Sequence, residues 1–374
     1  MEAQPDQDSR DFSKFALCAA ALSCIAVGLT TLSADADADE PPREEVRRAF
    51  EVAERAAATE RVLQQVSGDT SSDESTRISD AAEAAEPPPL STVPHDWEKA
   101  GLDLSKAERV GDELVQTLPS GARVTFTVDP DVQQHLEEMF DNYAVPHGGV
   151  VLLEPSTGRV LAMVSHTDHD PDVPEIARKP RAPSASVFKI VTAAALLETG
   201  AVSPSENICY HGGRSRLTAR NIKGDPDRDH KCADLGDALA WSINSIIAKL
   251  AYHRLDQRDL FVWAQRFGYN SEIPFELPVE PSHAEDVSDP LERARMAAGF
   301  WHSHLSPLHG AMIAATVRND GVMMEPSLIE RYDSPAGDTL LEFEPKVFRR
   351  VMSEKTADTL AGLLQKTTHD GTAR

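Results

Sequence analysis

Basic residues are scarce in this chain. Its 374 residues carry 37 Lys and Arg against 61 Asp and Glu, a formal net charge of −24, which argues against nucleic acid or an anionic membrane surface as a partner. About half of that excess lies before Trp97. Cysteine is scarce too: Cys18 and Cys24 sit in one apolar run, Cys209 and Cys232 in the body, and no Cys-x-x-Cys occurs, so zinc-ribbon and thioredoxin-like readings are weak. Long apolar runs are limited to residues 15–32, which hold no charge.

Eighteen residues of helix span about 27 Å, close to the hydrocarbon thickness of a bilayer. Segment 15–33 is therefore expected to be a membrane anchor or a signal segment, after a short tail over 1–14. Ala34-Asp35-Ala36 has the small-x-small form of a cleavage site, which keeps the signal reading open, whereas the length of the run favours an anchor. Arg10 and Lys14 precede the run and Arg43, Arg47 and Arg48 follow it, so charge does not decide its orientation. Residues 34–96 are rich in Asp, Glu, Ala, Ser and Pro with few aromatics. They read as an acidic disordered linker that buries too little apolar surface to order itself.

The folded body is expected over 97–374. Arg123 to Val128 alternates as a strand, and Asp129-Pro130 offers an N-cap followed by Pro at the first helical position. Val132, Leu136, Met139 and Phe140 then recur at helical spacing. Gly149–Leu153 and Arg159–Val164 read as two strands joined by a Pro- and Gly-containing turn. From Val187 the chain turns almost wholly apolar, which predicts a buried helix, with Gly200 suited to the left-handed position that ends it.

Ser186 and Lys189 fall three apart at the start of that helix, which puts both side chains on one face of its first turn. A serine hydroxyl needs a base to become a nucleophile, and a desolvated lysine can serve. Alone, this spacing is also met by an N-cap serine followed by a surface lysine. Downstream, 207–231 is polar and irregular with Cys209 and Cys232 at its ends, so the pair is either a disulfide closing the loop or two free thiols. Asp234 to Trp241 and Ser245 to Tyr252 read as helices interrupted at Ser242-Ile243-Asn244. His302, His304 and His309 straddle a proline and do not share a helical face, so no metal site is expected.

This order of parts resembles the transpeptidase domain of penicillin-binding proteins over about 97–374. Ser186-Val187-Phe188-Lys189 matches the family's Ser-x-x-Lys, and Ser242-Ile243-Asn244 its Ser-x-Asn. Gln133-Gln134, the hairpin around Thr157-Gly158-Arg159, and the run from Ala298-Gly299 to Pro307-Leu308 are similar to the family's strands and late helix. Gly371-Thr372-Ala373-Arg374 is similar to the segment just ahead of the third motif. The resemblance implies an α/β (α+β) fold: an antiparallel sheet flanked by helices, with a mainly helical subdomain. It implies Ser186 as nucleophile, Lys189 as its base, Ser242 as proton relay and Asn244 as the group that binds the donor peptide. Peptidoglycan stem peptides would be the substrates and β-lactams covalent ligands, with no cofactor. The domain would lie on the periplasmic or extracytoplasmic side of the inner membrane, tethered by the N-terminal segment.

Two departures stand out. Pro183-Ser184-Ala185 occupies the place where the family often has Pro-Gly, and no Lys-Thr-Gly or Lys-Ser-Gly occurs anywhere. Lys366-Thr367-Thr368 falls in a helical run instead. The expectation is a chain that stops before its third motif and C-terminal strands and reacts poorly or not at all in this form, since that motif's strand binds the substrate carboxylate and supplies an oxyanion donor. Losing one such donor costs roughly a hundred- to a thousandfold in rate. Two alternatives remain: a catalytically impaired envelope scaffold or sensor on the same fold, and a serine β-lactamase, for which no glutamate can be placed as the water-activating base.

Overall fold

A computed structural model of the chain describes residues 92–142, 145–167, 175–213, 216–256 and 258–372. The expected anchor at 15–33 and nearly all of the linker at 34–96 lie outside them. No helix among the described residues is long and apolar enough to cross a membrane.

The body opens with strands β1 (Glu108–Val110), β2 (Glu113–Thr117) and β3 (Arg123–Phe126). Asp129 then accepts hydrogen bonds from the N–H groups of Asp131 and Val132 and caps helix α1 (Pro130–Asn142), whose first residue is the expected proline. The predicted apolar stripe of α1 is only partly used: Met139 is 41% exposed, and Gln133 is buried in its place. Gln133 Oε1 accepts from the N–H of Met163 at 2.9 Å and its Nε2 donates to the Met163 carbonyl at 3.1 Å, so an amide clamp docks the helix. Met163 lies on β5 (Val160–Thr167), which pairs antiparallel with β4 (His147–Leu153) as the predicted hairpin.

Strand β6 (Ala182–Pro183) leads into α2 (Phe188–Glu198), in which every residue from Phe188 to Leu196 is buried. Gly200 follows with φ +68°, the left-handed stop predicted for it. Next come β7 (Ile208–Tyr210), α3 (Ala219–Lys223), β8 (Lys231–Ala233), α4 (Leu235–Ala240), α5 (Asn244–Arg254) and α6 (Asp259–Arg266). The 207–231 stretch, expected to be irregular, is thus an insertion on a two-stranded ribbon, since β7 and β8 at its two ends pair antiparallel. Beyond them lie β9 (His283–Ala284), α7 (Pro290–Ala297), β10 (Ser303–Leu305) and α8 (Pro307–Arg318), the last two helices each carrying Pro at the first position behind an Asp or Ser cap. The described chain continues through β11 (Val322–Met324), β12 (Ile329–Asp333), β13 (Thr339–Glu342), β14 (Val347–Arg350) and α9 (Glu354–His369).

The described strands form antiparallel sheets flanked by helices, as expected, and divide among several sheets. Strands β1-β2-β3-β12-β13 form a five-stranded antiparallel sheet, against whose Tyr332 Trp97 packs edge-on at 5.2 Å. The β4–β5 hairpin stays two-stranded, with α1 packed on β5 and α8 on β4. One parallel bridge, Arg159 to Ser327, joins the hairpin to the chain entering β12. Helix α2 is the centre of the helical part, with α5, α6, α7 and α9 packed around it. At its C-terminal end Glu198 accepts from the Ser353 hydroxyl at 2.7 Å, which ties α2 to the cap of α9.

Candidate active site

The approach to Ser186 is held in place before the helix begins. Strand β6 pairs with β10, Pro183 opposite His304, and the N–H of Ser184 donates to the Ser303 carbonyl at 3.0 Å, extending that ladder by one bond. Ser184 takes an ordinary right-handed helical conformation. The left-handed residue is Ala185, with φ +47°. A 3-10 turn over Ala185–Val187 then presents Ser186, half-buried, at the entrance to α2.

One turn on, Lys189 is 2% exposed. Its Nζ donates to Ser186 Oγ at 2.8 Å and to Ser242 Oγ at 2.6 Å, and the two hydroxyls are 2.7 Å apart. Three polar atoms therefore close a triangle in which each is within hydrogen-bond reach of the other two. In its unprotonated form the amine can accept the Ser186 proton, and Ser242 can pass a proton between the amine and a third group.

Ser242 comes to this point from the corner between α4 and α5. Its φ is +52°, and its N–H donates to the Leu239 carbonyl at 3.1 Å while that of Ile243 donates to Ala238 at 2.8 Å. Asn244, two residues beyond, is the first residue of α5. The next residue, Ser245, is buried and donates to the Gly212 carbonyl at 3.1 Å. From the other side the N–H of Thr372 donates to the Ala240 carbonyl at 2.9 Å, and Gly371 approaches so closely that a Cβ there would stand 2.3 Å from that oxygen. The Gly371-Thr372 segment thus docks two residues from Ser242.

Cys209 and Cys232 lie directly opposite one another on β7 and β8 and are disulfide-bonded, with Sγ atoms 2.01 Å apart. Behind them Lys249 of α5 donates to the Cys209 carbonyl at 2.7 Å and to Asp229 at 2.6 Å, and His211 Nδ1 stands 2.5 Å from the second Asp229 oxygen. Burial alone would raise the Asp229 carboxyl, but the hydrogen bonds from His211, Lys249 and the Asp225 N–H outweigh it and hold the pKa at about 2. Ribbon and α5 are thereby fastened together just beyond the Ser242 corner.

The three histidines part company. His302 lies between Glu285 and Glu292, at 2.7 and 3.3 Å. His304 is on β10. His309 is buried, with Nε2 donating to the Phe267 carbonyl at 2.7 Å. Among the described residues no group of three or more His, Cys, Asp or Glu side chains is arranged to hold a metal. A cavity of about 330 Å³ is lined by Trp97, Phe275, Glu276, Ser327 and Phe343, among others, and none of Ser186, Lys189, Ser242 or Asn244 contributes to it.

Three further residues support the Ser186 turn, two of them directly and Thr192 through the segment that carries Gly299. Tyr269 donates to Ser184 Oγ at 2.9 Å. Gly299, at φ +93°, lies against Ala185 so closely that a Cβ would stand 1.8 Å from its carbonyl oxygen. Thr192 of α2 donates to the Ala297 carbonyl at 2.8 Å, which fixes the segment that carries Gly299. The Ala298-Gly299 pair was visible as part of a family pattern, whereas Tyr269 sits in no pattern at all.

Residues 148–374 match the model of the penicillin binding protein transpeptidase domain. The peptidoglycan D,D-transpeptidase PbpA of Mycolicibacterium smegmatis is 31% identical over 287 residues, covering 68% of this chain and 58% of that protein. PbpA of Mycobacterium tuberculosis is 28% identical over 288 residues, with the same two coverages. Among solved structures, penicillin-binding protein A from M. tuberculosis as its ceftriaxone acyl-enzyme aligns with a TM-score of 0.58 at 27% identity, over 66% of this chain and 62% of that one. Its penicillin G acyl-enzyme gives 0.56 at 28% identity, over 66% and 64%. The chain thus spans 58% of the length of these PbpA relatives.

Proposed function

The chain belongs to the penicillin-binding protein transpeptidase family, and from that premise we propose that it carries the acyl-transfer site of a serine D,D-transpeptidase. The supporting observation is the contact of Lys189 Nζ with both Ser186 Oγ at 2.8 Å and Ser242 Oγ at 2.6 Å. Ser186 gives its proton to Lys189 as its oxygen attacks the penultimate D-alanine carbonyl of a stem peptide. The Oγ–C bond forms, the C–N bond to the terminal D-alanine breaks, and the proton reaches the leaving amine through Ser242. An amine of a second stem peptide then attacks the ester, the new C–N bond forms as the Oγ–C bond to Ser186 breaks, and the proton the amine sheds returns to Ser186 Oγ. Asn244 binds the amide of the donor peptide. β-Lactams acylate Ser186 in the same way, as the M. tuberculosis acyl-enzymes do with their own ligands.

In this reading the N-terminal segment tethers the domain to the inner membrane, with the folded part on its extracytoplasmic side. The 374 residues contain no Lys-Thr-Gly.

The test is release of D-alanine from a D-Ala-D-Ala-terminated peptide in the presence of an amine acceptor, with the protein as its own cells make it. Release coupled to formation of the peptide–amine product, and lost in Ser186→Ala, is expected. Hydrolysis of penicillin with rapid turnover and no transfer product would favour a β-lactamase, and no reaction at all would favour the scaffold.

A further inference from the structure

The turn that presents Ser186 is bracketed by one buried side chain. Tyr269 follows α6 and is fully buried. Its hydroxyl donates to Ser184, two residues before Ser186, and its ring meets Phe188, two residues after, edge-on at 5.5 Å. The ring also meets His309, with centroids 5.0 Å apart, and His309 is itself held by its bond to the Phe267 carbonyl. Burial pushes the Tyr269 phenol above its ordinary range, so it remains a donor at any working pH.

The turn needs such restraint. Ala185 is left-handed at φ +47°, a region that few alanines occupy unless the surroundings impose it. Ser303, through its carbonyl, holds the Ser184 backbone, and Gly299 closes on the Ala185 carbonyl. Neither touches a side chain of the nucleophile segment in these contacts. Tyr269 does, on both sides of Ser186.

We propose that Tyr269 is a positioning residue for Ser186: acting through Ser184 and Phe188, it fixes the turn so that Ser186 Oγ stays within hydrogen-bond reach of Lys189 and Ser242. This rests on the reading of Ser186 as the nucleophile. A tyrosine that only fills the core would be replaced without kinetic effect by phenylalanine, which keeps the ring and its contact with Phe188 and loses only the bond to Ser184.

The experiment compares wild type, Tyr269→Phe, Ser184→Ala and the double variant, each as the protein its own cells make. Two probes are used: a fluorescent penicillin, and a small fluorophosphonate that phosphonylates an activated serine, losing fluoride, without recognising a peptide or β-lactam. Tyr269→Phe is expected to lower the saturating rate constant with both probes about tenfold, the scale of a sub-ångström misplacement, with half-saturating concentration and melting temperature unchanged. Ser184→Ala should do the same, and the double variant should be no slower than the slower single one, because both remove one bond. Wild-type rates in Tyr269→Phe, a loss that follows the unfolded fraction, or additive losses in the double variant would overturn the proposal. Wild type that is phosphonylated at Ser186 but not acylated by penicillin sinks the transpeptidase reading, while the Tyr269→Phe rate ratio still decides this one. A Ser186 unreactive to both probes overturns both.

Discussion

Ser186 Oγ lies 2.7 Å from Ser242 Oγ across 56 residues of chain. The first hydroxyl comes from the entrance of α2 and the second from the α4–α5 corner, and α2 and α5 pack directly against one another. A Ser-x-x-Lys that arose by chance has no reason to meet a second serine in this way. The core that buries α2 is therefore also what sets the geometry of the chemistry.

Replacing Lys189 should separate folding from reactivity. Lys189→Met fills most of the same buried volume but offers neither proton acceptor nor donor, so acylation by penicillin should fall by roughly a thousandfold, within the usual range for removal of a general base. Ser242→Ala removes only the relay and should cost less, about ten- to a hundredfold. Quenched-flow labelling measures both. Equal losses, or a Lys189→Met variant that labels at the wild-type rate, would contradict the roles assigned to them.

Much of this was legible before any coordinates. The Asp129-Pro130 start of α1, the β4–β5 hairpin, the buried α2 and its Gly200 stop all follow from local spacing and turn chemistry, which act over a few residues. The Ser242 corner was legible as an interruption between two helical runs. What could not be read depended on the partner of each strand. Cys209 and Cys232 offered a closure of the 207–231 stretch but not the strand pairing of its ends, and nothing in the period of α1 shows that Gln133 rather than Met139 faces inward. Tyr269 was invisible for the same reason: its role exists only because the chain returns, 85 residues after Ser184, to the same turn.

Gly299 should not tolerate even a methyl group. A Cβ there would stand 1.8 Å from the Ala185 carbonyl oxygen, which is backbone and cannot swing aside, and the φ of +93° adds strain of its own. Gly299→Ala is expected to lower stability by about 3 kcal/mol and the melting temperature with it. A thermal melt that superimposes on wild type would show that the segment has slack the geometry does not suggest.

His309 should make the fold acid-sensitive in a defined window. Burial pushes its pKa down to about 4 from an ordinary 6.5, the nearby Arg349 charge assists, and the bond to the Phe267 carbonyl opposes. Protonating it would add an N–H at Nδ1, which has no hydrogen-bond partner among the described residues. Because the folded pKa lies below the unfolded one, its contribution is fully present above pH 6.5 and is lost as the pH falls towards 4, by about 3 kcal/mol at most. Denaturant titrations of wild type and His309→Gln across this range should converge as the pH drops. A constant difference between them would mean that His309 does not carry this dependence.

The central claim is that Ser186 becomes acylated, and mass spectrometry of the protein as its own cells make it, incubated with penicillin G, tests that most directly. The account predicts a mass increase equal to one whole penicillin molecule, located by peptide mapping on Ser186 and absent from Ser186→Ala. An unmodified protein, or an adduct that persists in Ser186→Ala, would contradict it.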